Sequence, residues 1–338
     1  MTISVLIPVY NAARTIEATL ASVMRQTVAP DEIILLLDGC TDDTEDRIGR
    51  FGNRITVARQ ENRGVALTRN RLAGMARGEL LAYLDNDDFW HPKYLETQRA
   101  LLRSHPGALA SFCGHVDVAG PDEVWREEPS LDLARAEWID QVEFFERYNR
   151  VTGLFGSMSF ACIRQAAMKQ LGPEPFQFNG VDDSYLFCRL SLLGGVVFLD
   201  SPLVAYLVRD DSLSANRLKM LPQWVKVFET LAPEFQKTRI EGLRAAFPIA
   251  YAVKRRNYAK MLLGAGRPGE ARGQLWRSMA DCPRPVSVGK SAALWAASLL
   301  PAFLQPRWPS ARRASAAAAD GPQLSSPSVG APPQTDRT

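Results

Sequence analysis

The feature that most constrains the fold is the alternation, over the first ninety residues, of short apolar runs with segments of helical pattern. The runs SVLIPV, EIILLLD and LLAYL are apolar at nearly every position, and ITVARQ is a further strand candidate before the last of them. Strands that are apolar on both faces are typical of a sheet covered by helices on each side. Segments such as GVALTRNRLAGMA supply those helices. The pattern predicts an α/β fold with a mostly parallel, doubly wound sheet.

Polar and acidic residues follow three of these strands. The first strand ends in Pro8-Val9-Tyr10-Asn11, the second in Asp38-Gly39 and the fourth in Asp85-Asn86-Asp87-Asp88. Right-handed crossovers bring the carboxyl ends of parallel strands to one edge of the sheet, and open α/β sheets bind ligands there. We therefore predict that the four aspartates converge on one crevice. Asn11 or Thr15 is expected to cap the first helix.

The string LDNDD predicts a cation site. Mg²⁺ and Mn²⁺ prefer oxygen ligands and keep coordination positions open for phosphate. A cation held by Asp85 and Asp87 would bridge a diphosphate and neutralise the charge that develops on a leaving group. The alternative is a solvated acidic turn, and Asp38 at the neighbouring strand end counts against it.

The remainder of the chain is predicted to add strands and then helices. ALASFCGHVDV predicts a strand, SYLFCRLSLLGG a helix, and VVFLD and VAYLVR two further strands. After Leu221 the chain is expected to be helical, with a helical hairpin over RRNYAKMLLGAGRPGEARGQLWRSMADCPRP. The predicted organisation is a first domain over residues 1–215, a basic helical region over 216–308 and a disordered tail, rich in Ala, Ser and Pro, over 309–338.

Charge is unevenly distributed along the chain. There are 24 basic and 32 acidic residues up to Gln236, but 15 basic and 3 acidic residues from Lys237 to Arg313. Such a segment is typical of contact with anionic lipid or nucleic acid, or of helices with solvated arginines. It carries no aromatic stacking stripe or nucleic-acid motif, so we expect no nucleic-acid partner. SAALWAASLLPAFL is too short to span a bilayer, which takes about twenty residues, and is expected either at the membrane interface or in a core.

Cysteine usage and the N-terminus predict the compartment. The five cysteines are scattered and odd in number, which indicates no disulfide framework and favours a reducing compartment. MTISVLIPVY enters a strand directly, without the basic and apolar regions of a signal peptide. We therefore predict a cytoplasmic protein, with peripheral contact at the inner face of the membrane.

Several motifs, in order, resemble the family 2 glycosyltransferases of the GT-A fold. They are VLIPVYNAARTIEATLASVMRQT, LLLDGCTDDT, ENRGVALTRNRLAGMARGELLAYLDNDD and FNGVDDSYLFCRL, and the resemblance covers about residues 3–215. It implies an inverting, metal-dependent enzyme that transfers a sugar from a nucleotide-sugar donor to a hydroxyl of a glycan, lipid-linked or other acceptor. UDP-sugars are the family's common donors, and the resemblance places the reaction in polysaccharide or glycoconjugate synthesis.

The resemblance also implies roles for individual residues. The loop Pro8-Val9-Tyr10-Asn11 and Asp38 would hold the nucleotide base and ribose. Asp85-Asn86-Asp87 matches the family's Asp-x-Asp motif and would bind ribose, diphosphate and the divalent cation, Mn²⁺ or Mg²⁺. Arg69, in Thr68-Arg69-Asn70, would organise the acidic loop or the diphosphate; the alternative is an exposed helix arginine.

The family's catalytic base is the aspartate of a Glu-Asp pair, which appears here as Asp182-Asp183. Asp183 is therefore the candidate base for the acceptor hydroxyl, and a helix N-cap is the alternative role. The helix dipole is expected to keep Asp183 ionised, as a ready but weak base. Leu207 and Arg209 stand where the family often has an Arg-x-His pattern, so the gating role of that pattern is in doubt.

The sequence bears on three alternative functions. A sugar-phosphate nucleotidyltransferase would need a Gly-rich phosphate loop after the first strand, and a dinucleotide-dependent dehydrogenase would need G-x-G-x-x-G; neither is present. A non-catalytic sugar-nucleotide-binding or scaffold protein on the same fold stays open. The intact Asp85, Asp87 and Asp183 count against it.

Overall fold

The structure is a computed structural model of the 338-residue chain. It describes residues 1–120, 131–150, 155–209 and 217–300, together with the single residues 129 and 306. Within these ranges the strands of one nine-stranded sheet are β1 Ile3–Val9, β2 Glu32–Asp38, β3 Thr56–Gln60, β4 Leu80–Tyr83, β5 Phe89–Trp90, β6 Ala110–Val118, β7 Glu137–Ile139, β8 Ala161–Arg164 and β9 Val196–Leu207. The helices are α1 Ile16–Met24, α2 Thr44–Gly49, α3 Val65–Met75, α4 Tyr94–Ser104, α5 Gln141–Arg150, α6 Gln165–Gln170, α7 Asp182–Leu193, α8 Arg217–Lys237, α9 Glu241–Gly264, α10 Pro268–Asp281 and α11 Pro285–Ala297.

The sheet is parallel over its first four strands and mixed beyond them. The strand order is β3-β2-β1-β4-β8-β6-β9-β5, with β7 also paired to β9. Strands β3, β2, β1 and β4 are mutually parallel, as predicted. Strand β8 runs antiparallel to both neighbours, β6 and β9 are parallel, and β5 and β7 run antiparallel to β9. The α/β fold is therefore confirmed. Six strands of the sheet run in one direction, and β5, β7 and β8 run in the opposite direction.

VVFLD and VAYLVR form one strand, so the prediction of two separate strands was wrong. Strand β9 continues through Asp200, Ser201 and Pro202. A residue that precedes proline favours an extended backbone, so this proline does not break the strand. The pairing of β9 with β6 absorbs the irregularity by register shifts on both sides of Gly114.

Apolar side chains of the sheet enter two cores, one on each face. Along β1, Leu6 packs into one core, while Val5 and Ile7 pack into the other. Helix α1 covers the second core through Ile16 and Leu20. Successive side chains of a strand point to opposite faces, so burial of both faces requires the nearly continuous apolar runs seen in the sequence.

The C-terminal helices pack against the first core. Phe145 of α5 lies 5.0 Å from Phe235 of α8 and 6.1 Å from Phe247 of α9, measured between ring centroids. Helices α9 and α10 form the predicted hairpin, and α11 packs on α10. The predicted domain boundary after residue 215 and the tail from residue 309 lie outside the described residues and stay predictions.

The apolar segment SAALWAASLLPAFL is divided between α11 and residues outside the described ranges. In α11, Leu294 and Trp295 pack against a small core that includes Leu262 and Leu275. Residues 301–304 are not described. Within the described ranges, no helix combines the length and the apolarity that crossing a bilayer requires.

Candidate active site

The loop after β1 is tied to the loop after β2. Asn11 has a positive φ of 45°, a conformation that Asn tolerates better than most residues. Its side-chain oxygen accepts a hydrogen bond from the Thr41 N–H at 2.8 Å, and its amide donates to the Thr41 hydroxyl at 3.3 Å. Pro8 and Val9 are buried in the strand, whereas the Tyr10 side chain is 50% exposed. Tyr10 is therefore the exposed aromatic side chain that this loop offers a ligand.

Asp38 holds the segment that leads into α3. Its carboxylate accepts hydrogen bonds from the backbone N–H groups of Arg63 and Gly64, each at 2.8 Å, and from the Gln60 side chain at 2.7 Å. Gly64 has φ +84°, and an added Cβ would lie 2.2 Å from Nδ2 of Asn179. Arg63 and Gly64 therefore form the turn that leads into α3. The nucleotide-binding role of Asp38 stays a prediction.

The acidic loop after β4 is fixed by hydroxyl groups from two directions. The Asn86 carbonyl accepts hydrogen bonds from Thr15 at 2.8 Å and Thr19 at 3.1 Å. The Asp85 N–H donates to the Ser159 hydroxyl at 3.0 Å. Thr15 is the N-cap residue of α1, as predicted, but its side chain makes no capping hydrogen bond. The threonine hydroxyl instead positions the acidic loop.

Arg69 joins the acidic loop to the start of α7. Its guanidinium donates to the Asp85 carboxylate through Nη2 and to Asp182 through Nη1. The side chain of Arg69 is only 7% exposed, so the alternative of an exposed helix arginine was wrong. Burial alone would lower the pKa of Arg69, but the charges of Asp182 and Asp85 outweigh it and raise the pKa. Ser157 adds a hydrogen bond to the second Asp85 oxygen at 3.2 Å.

Asp183 lies in the first turn of α7, beside Asp182. The N-cap residue is Val181 and no side chain caps the helix, so the N-cap role for Asp183 was wrong. The Asp183 carboxylate accepts hydrogen bonds from the Ser184 N–H at 2.6 Å and from the Ser184 hydroxyl at 3.2 Å.

The protonation equilibrium of Asp183 differs from the expectation. Burial and then the negative charge of Asp182 raise the pKa of Asp183 to about 7, although Arg69 opposes the shift. The expectation that the helix dipole keeps Asp183 ionised, as a ready but weak base, was therefore wrong. Burial also raises the pKa of Asp182, against the opposing charge of Arg69. A carboxyl group of this pKa can exchange a proton near neutral pH.

Carboxylates are crowded in the acidic loop. Asp87 lies 3.6 Å from the Arg209 guanidinium, and buried Asp88 accepts a hydrogen bond from the Leu207 N–H at 3.3 Å. Burial and the charges of Asp85 and Asp87 raise the pKa of Asp88. Among the residues that the structure describes, no three His, Cys, Asp or Glu side chains form a complete metal site. The hard oxygens of Asp85 and Asp87 fit a divalent cation that takes its other ligands from phosphate and water.

Sequence reasoning missed the hydroxyl residues that support the site. Ser157 is the N-cap of a short 3-10 turn at Met158–Phe160, Ser159 lies within that turn, and both contact Asp85. The spacing Ser-x-Ser inside the otherwise apolar LFGSMSF was the signal that could have found them. Asp85 is joined to α7 through Arg69, whereas Asp38 is engaged by its own loop, and the convergence of the four aspartates on one crevice stays a prediction.

Comparison with known proteins identifies the family. The sequence model of Glycosyl transferase family 2 matches residues 4–172. The chain is 35% identical over 230 residues to the UDP-Glc:alpha-D-GlcNAc-diphosphoundecaprenol beta-1,3-glucosyltransferase WfgD of Escherichia coli. The matched segment covers 66% of this chain and 83% of that protein. The putative glycosyltransferase EpsH of Bacillus subtilis is 38% identical over 97 residues, and the match spans only 28% of either chain.

Solved structures show the same fold. S. aureus TarS 1–349 in complex with UDP matches with a TM-score of 0.61 and 17% identity, over 88% of this chain and 90% of that one. The mannosyltransferase PcManGT from Pyrobaculum calidifontis, in complex with GDP-Man and Mn²⁺, matches with a TM-score of 0.51 and 20% identity, over 88% of this chain and 80% of that one. The fold is that of the GT-A glycosyltransferases. The chain therefore belongs to glycosyl transferase family 2 and is a glycosyltransferase.

Proposed function

We propose that the protein transfers a sugar from a UDP-linked donor to an acceptor hydroxyl in polysaccharide or glycoconjugate synthesis, with Asp183 as the general base. One observation carries the proposal. Arg69 contacts Asp85 of the acidic loop and Asp182, the neighbour of Asp183, at the same time. A buried arginine that donates to two carboxylates holds those carboxylates at a fixed separation. The base would therefore lie at a set distance from the donor's diphosphate.

Asp183 suits the removal of a proton from the acceptor. With a pKa of about 7, about half of the molecules carry the carboxylate at neutral pH, and general-base catalysis is most efficient near this balance. As the acceptor oxygen attacks the anomeric carbon, its proton would pass to Asp183 and the nucleotide diphosphate would leave from the opposite face. This single displacement inverts the anomeric configuration.

Donor binding would rest on the strand-end loops. Exposed Tyr10 would contact the nucleotide base, while Asn11 and Asp38 would hold the loops that border the ribose. The name of the E. coli relative includes UDP-Glc, and the TarS structure contains UDP, which supports a UDP-linked donor. The same relative's name includes a diphosphate lipid, which supports a lipid-linked acceptor.

A divalent cation would be held by Asp85 and Asp87. When bound, it neutralises charge on the departing diphosphate. The Mn²⁺ of the mannosyltransferase complex supports this proposal. Without a cation the two carboxylates repel the diphosphate, and two charges about 4 Å apart repel by about 4 kcal/mol at an effective dielectric of about 20. UDP should therefore bind much more weakly in EDTA than in Mn²⁺, and equal calorimetric affinities would contradict the metal proposal.

The substitution Asp183→Asn tests the base. General-base catalysis contributes about 10²–10⁴-fold, so kcat should fall by that factor while calorimetric UDP affinity stays unchanged. Asp200→Asn, at an exposed position of β9, is the matched control and should leave kcat unchanged. NMR of the product should show an inverted anomeric configuration. Wild-type turnover in folded Asp183→Asn, or a retained configuration, would reject the mechanism.

The scaffold alternative makes a separate prediction. A non-catalytic sugar-nucleotide-binding protein would bind UDP but transfer no sugar from any of a panel of UDP-sugars. A raised pKa at a carboxyl group beside the donor loop favours the enzyme, because perturbed carboxyl groups are concentrated at catalytic sites.

We also propose that the C-terminal helices contact an anionic membrane surface. Large apolar side chains are exposed on this basic region: Trp276 by 68%, Val286 by 72% and Leu299 by 57%. Basic residues near anionic lipid contribute about 1 kcal/mol each, and apolar side chains add insertion into the headgroup layer. In flotation assays the full chain should rise with phosphatidylserine vesicles at low salt and be released as salt increases. A chain that stays at the bottom of the gradient at low salt would refute this contact.

A further inference from the structure

A lysine from the helical region lies beside the proposed base. The ammonium of Lys254, on α9, lies 3.6 Å from the centroid of the Trp224 ring of α8. Trp224 in turn stacks on Tyr148 of α5, with ring centroids 6.2 Å apart. The Tyr148 hydroxyl donates a hydrogen bond to Ser184, which itself bonds to Asp183. A continuous path of contacts therefore joins Lys254 to the base.

The charge of Lys254 has no polar partner within the described part of the chain. Its ammonium forms neither a hydrogen bond nor an ion pair there, and the face of Trp224 is its direct contact. Burial lowers the pKa of Lys254 to about 8, and the charge of Asp183 opposes the shift. The Lys254 side chain is half-buried and its Nζ atom is not among the buried polar atoms that lack a partner, so the ammonium faces solvent as well as the Trp224 ring and can receive an anionic ligand from that side. The position is therefore suited to an anion.

We propose that Lys254 binds a phosphate group of the acceptor, next to the hydroxyl that receives the sugar. This inference rests on the proposed function, because Asp183 marks where the acceptor hydroxyl would lie. Lysine is a common phosphate ligand, acting as a compact point charge.

The other cations of the site are already engaged. Arg69 is held by Asp85 and Asp182, and Arg209 lies against Asp87. The donor's diphosphate would lie at the acidic loop with its cation. Lys254 reaches the base from α9, through Trp224 and Tyr148, and so supplies a separate charge for the second substrate.

Calorimetry on the full-length protein tests the site. The protein is first saturated with UDP and Mg²⁺, so that the donor position is filled, and geranyl phosphate is then titrated without vesicles. Lys254→Gln should weaken geranyl phosphate binding at least about tenfold, and Lys254→Arg should keep it within a few-fold. Lys226→Gln removes the same charge from an exposed position of α8 and should have no effect. Geraniol, the uncharged analogue, should bind equally to the wild type and to Lys254→Gln.

The pH dependence separates Lys254 from its neighbours. The groups that face it and Asp183 are Asp182, Arg69, Tyr148 and Cys188, and burial raises the pKa of the last two well above neutral. Wild-type affinity for geranyl phosphate should fall about tenfold from pH 7 to pH 9 as Lys254 loses its proton. In Lys254→Arg the charge persists, so the part of this fall due to the lysine should disappear. Any contribution from ionisation of Asp183 remains in both proteins.

Each outcome decides the proposal. Unchanged affinity for geranyl phosphate in Lys254→Gln, or a wild type that binds it no better than geraniol, overturns it. UDP binding and thermal unfolding show whether Lys254→Gln is folded. If it is not, the affinity of Lys254→Arg for geranyl phosphate between pH 7 and pH 9 decides instead. A fall in affinity equal to that of the wild type then overturns the proposal. Asp183→Asn should retain geranyl phosphate binding, so failure of the base assignment is distinguishable from failure of this inference.

Discussion

Replacement of Arg69 by methionine removes the charge that joins the two halves of the site while it keeps most of the side-chain volume. The Arg69 side chain is 7% exposed and that of Asp182 is 2% exposed. In Arg69→Met the carboxylate of Asp182 stays buried without its partner, and Asp85 keeps only hydroxyl and backbone contacts. The cost should be large, because a buried charge is then left uncompensated.

The magnitude follows from the burial of this pair. Removal of one member of a buried ion pair costs about 3–5 kcal/mol. In a domain of about 200 residues this lowers Tm by on the order of 10 °C. Burial already raises the pKa of Asp182 above its unfolded value of about 4, and loss of Arg69 raises it further. The folded state then binds the extra proton, so the destabilisation grows as pH rises above about 4 and is smaller at pH 5 than at pH 8.

Urea unfolding at pH 5 and pH 8 measures this effect. Arg71→Met, at an exposed position of the same helix, is the matched control and should cost less than about 1 kcal/mol. Arg69→Met/Asp182→Asn should recover part of the lost stability at pH 8, because it removes the uncompensated charge. If Arg69→Met lies within about 1 kcal/mol of the wild type at pH 8, or the double variant recovers nothing, the account of Arg69 as a buried bridge is wrong.

Three further predictions follow from individual contacts. Because Asp183 acts as a base only when deprotonated and has a pKa of about 7, kcat should rise about tenfold from pH 6 to pH 8. If Asp183→Asn shows the same rise of kcat with pH, Asp183 is not the base. Gly64→Ala should lower the free energy of unfolding in urea by about 2 kcal/mol or more, because the added Cβ meets Asn179 and Gly64 has a positive φ. Gly74→Ala, in open space on α3, is the control and should be neutral or stabilising. Equal effects of the two substitutions would argue against strain at Gly64. Trp276→Ala should reduce flotation with anionic vesicles, while Trp138→Ala, an exposed tryptophan on β7, should not, and an equal loss in both would reject a specific role for α10.

The first four strands and their loops could be predicted because their signals are local. Strands β1, β2 and β4 are buried on both faces and therefore apolar throughout, and the acidic loop follows β4 directly in the sequence. The reversal of β8 could not be predicted in this way. A buried strand has the same apolar pattern whichever direction it runs, and its partners β4 and β6 are distant in sequence.

The absence of capping hydrogen bonds from Thr15 and Asp183 and the raised pKa of Asp183 could not be predicted, for a related reason. Thr15 and Asp183 are residue types that favour helix N-termini, but each side chain found a tertiary or local partner with better geometry. Propensity describes a residue in isolation, whereas burial beside Asp182 depends on everything that packs over the start of α7. The raised pKa is a property of that packing.

By itself, the sequence determined the α/β class and the strand-end positions of Asp38, Asp85 and Asp87, because periodicity and residue type are local quantities. Asp183 became the candidate base through the resemblance to the family 2 glycosyltransferases. Only the tertiary structure decided that Arg69 bridges Asp85 to Asp182 and that Lys254 reaches the neighbourhood of the base. Arg69 and Asp182 are 113 positions apart, and Lys254 contacts a helix whose surface carries no periodic signal for its own. The electrostatic attraction in these contacts is strengthened where water is excluded, and water is excluded only once the chain has folded.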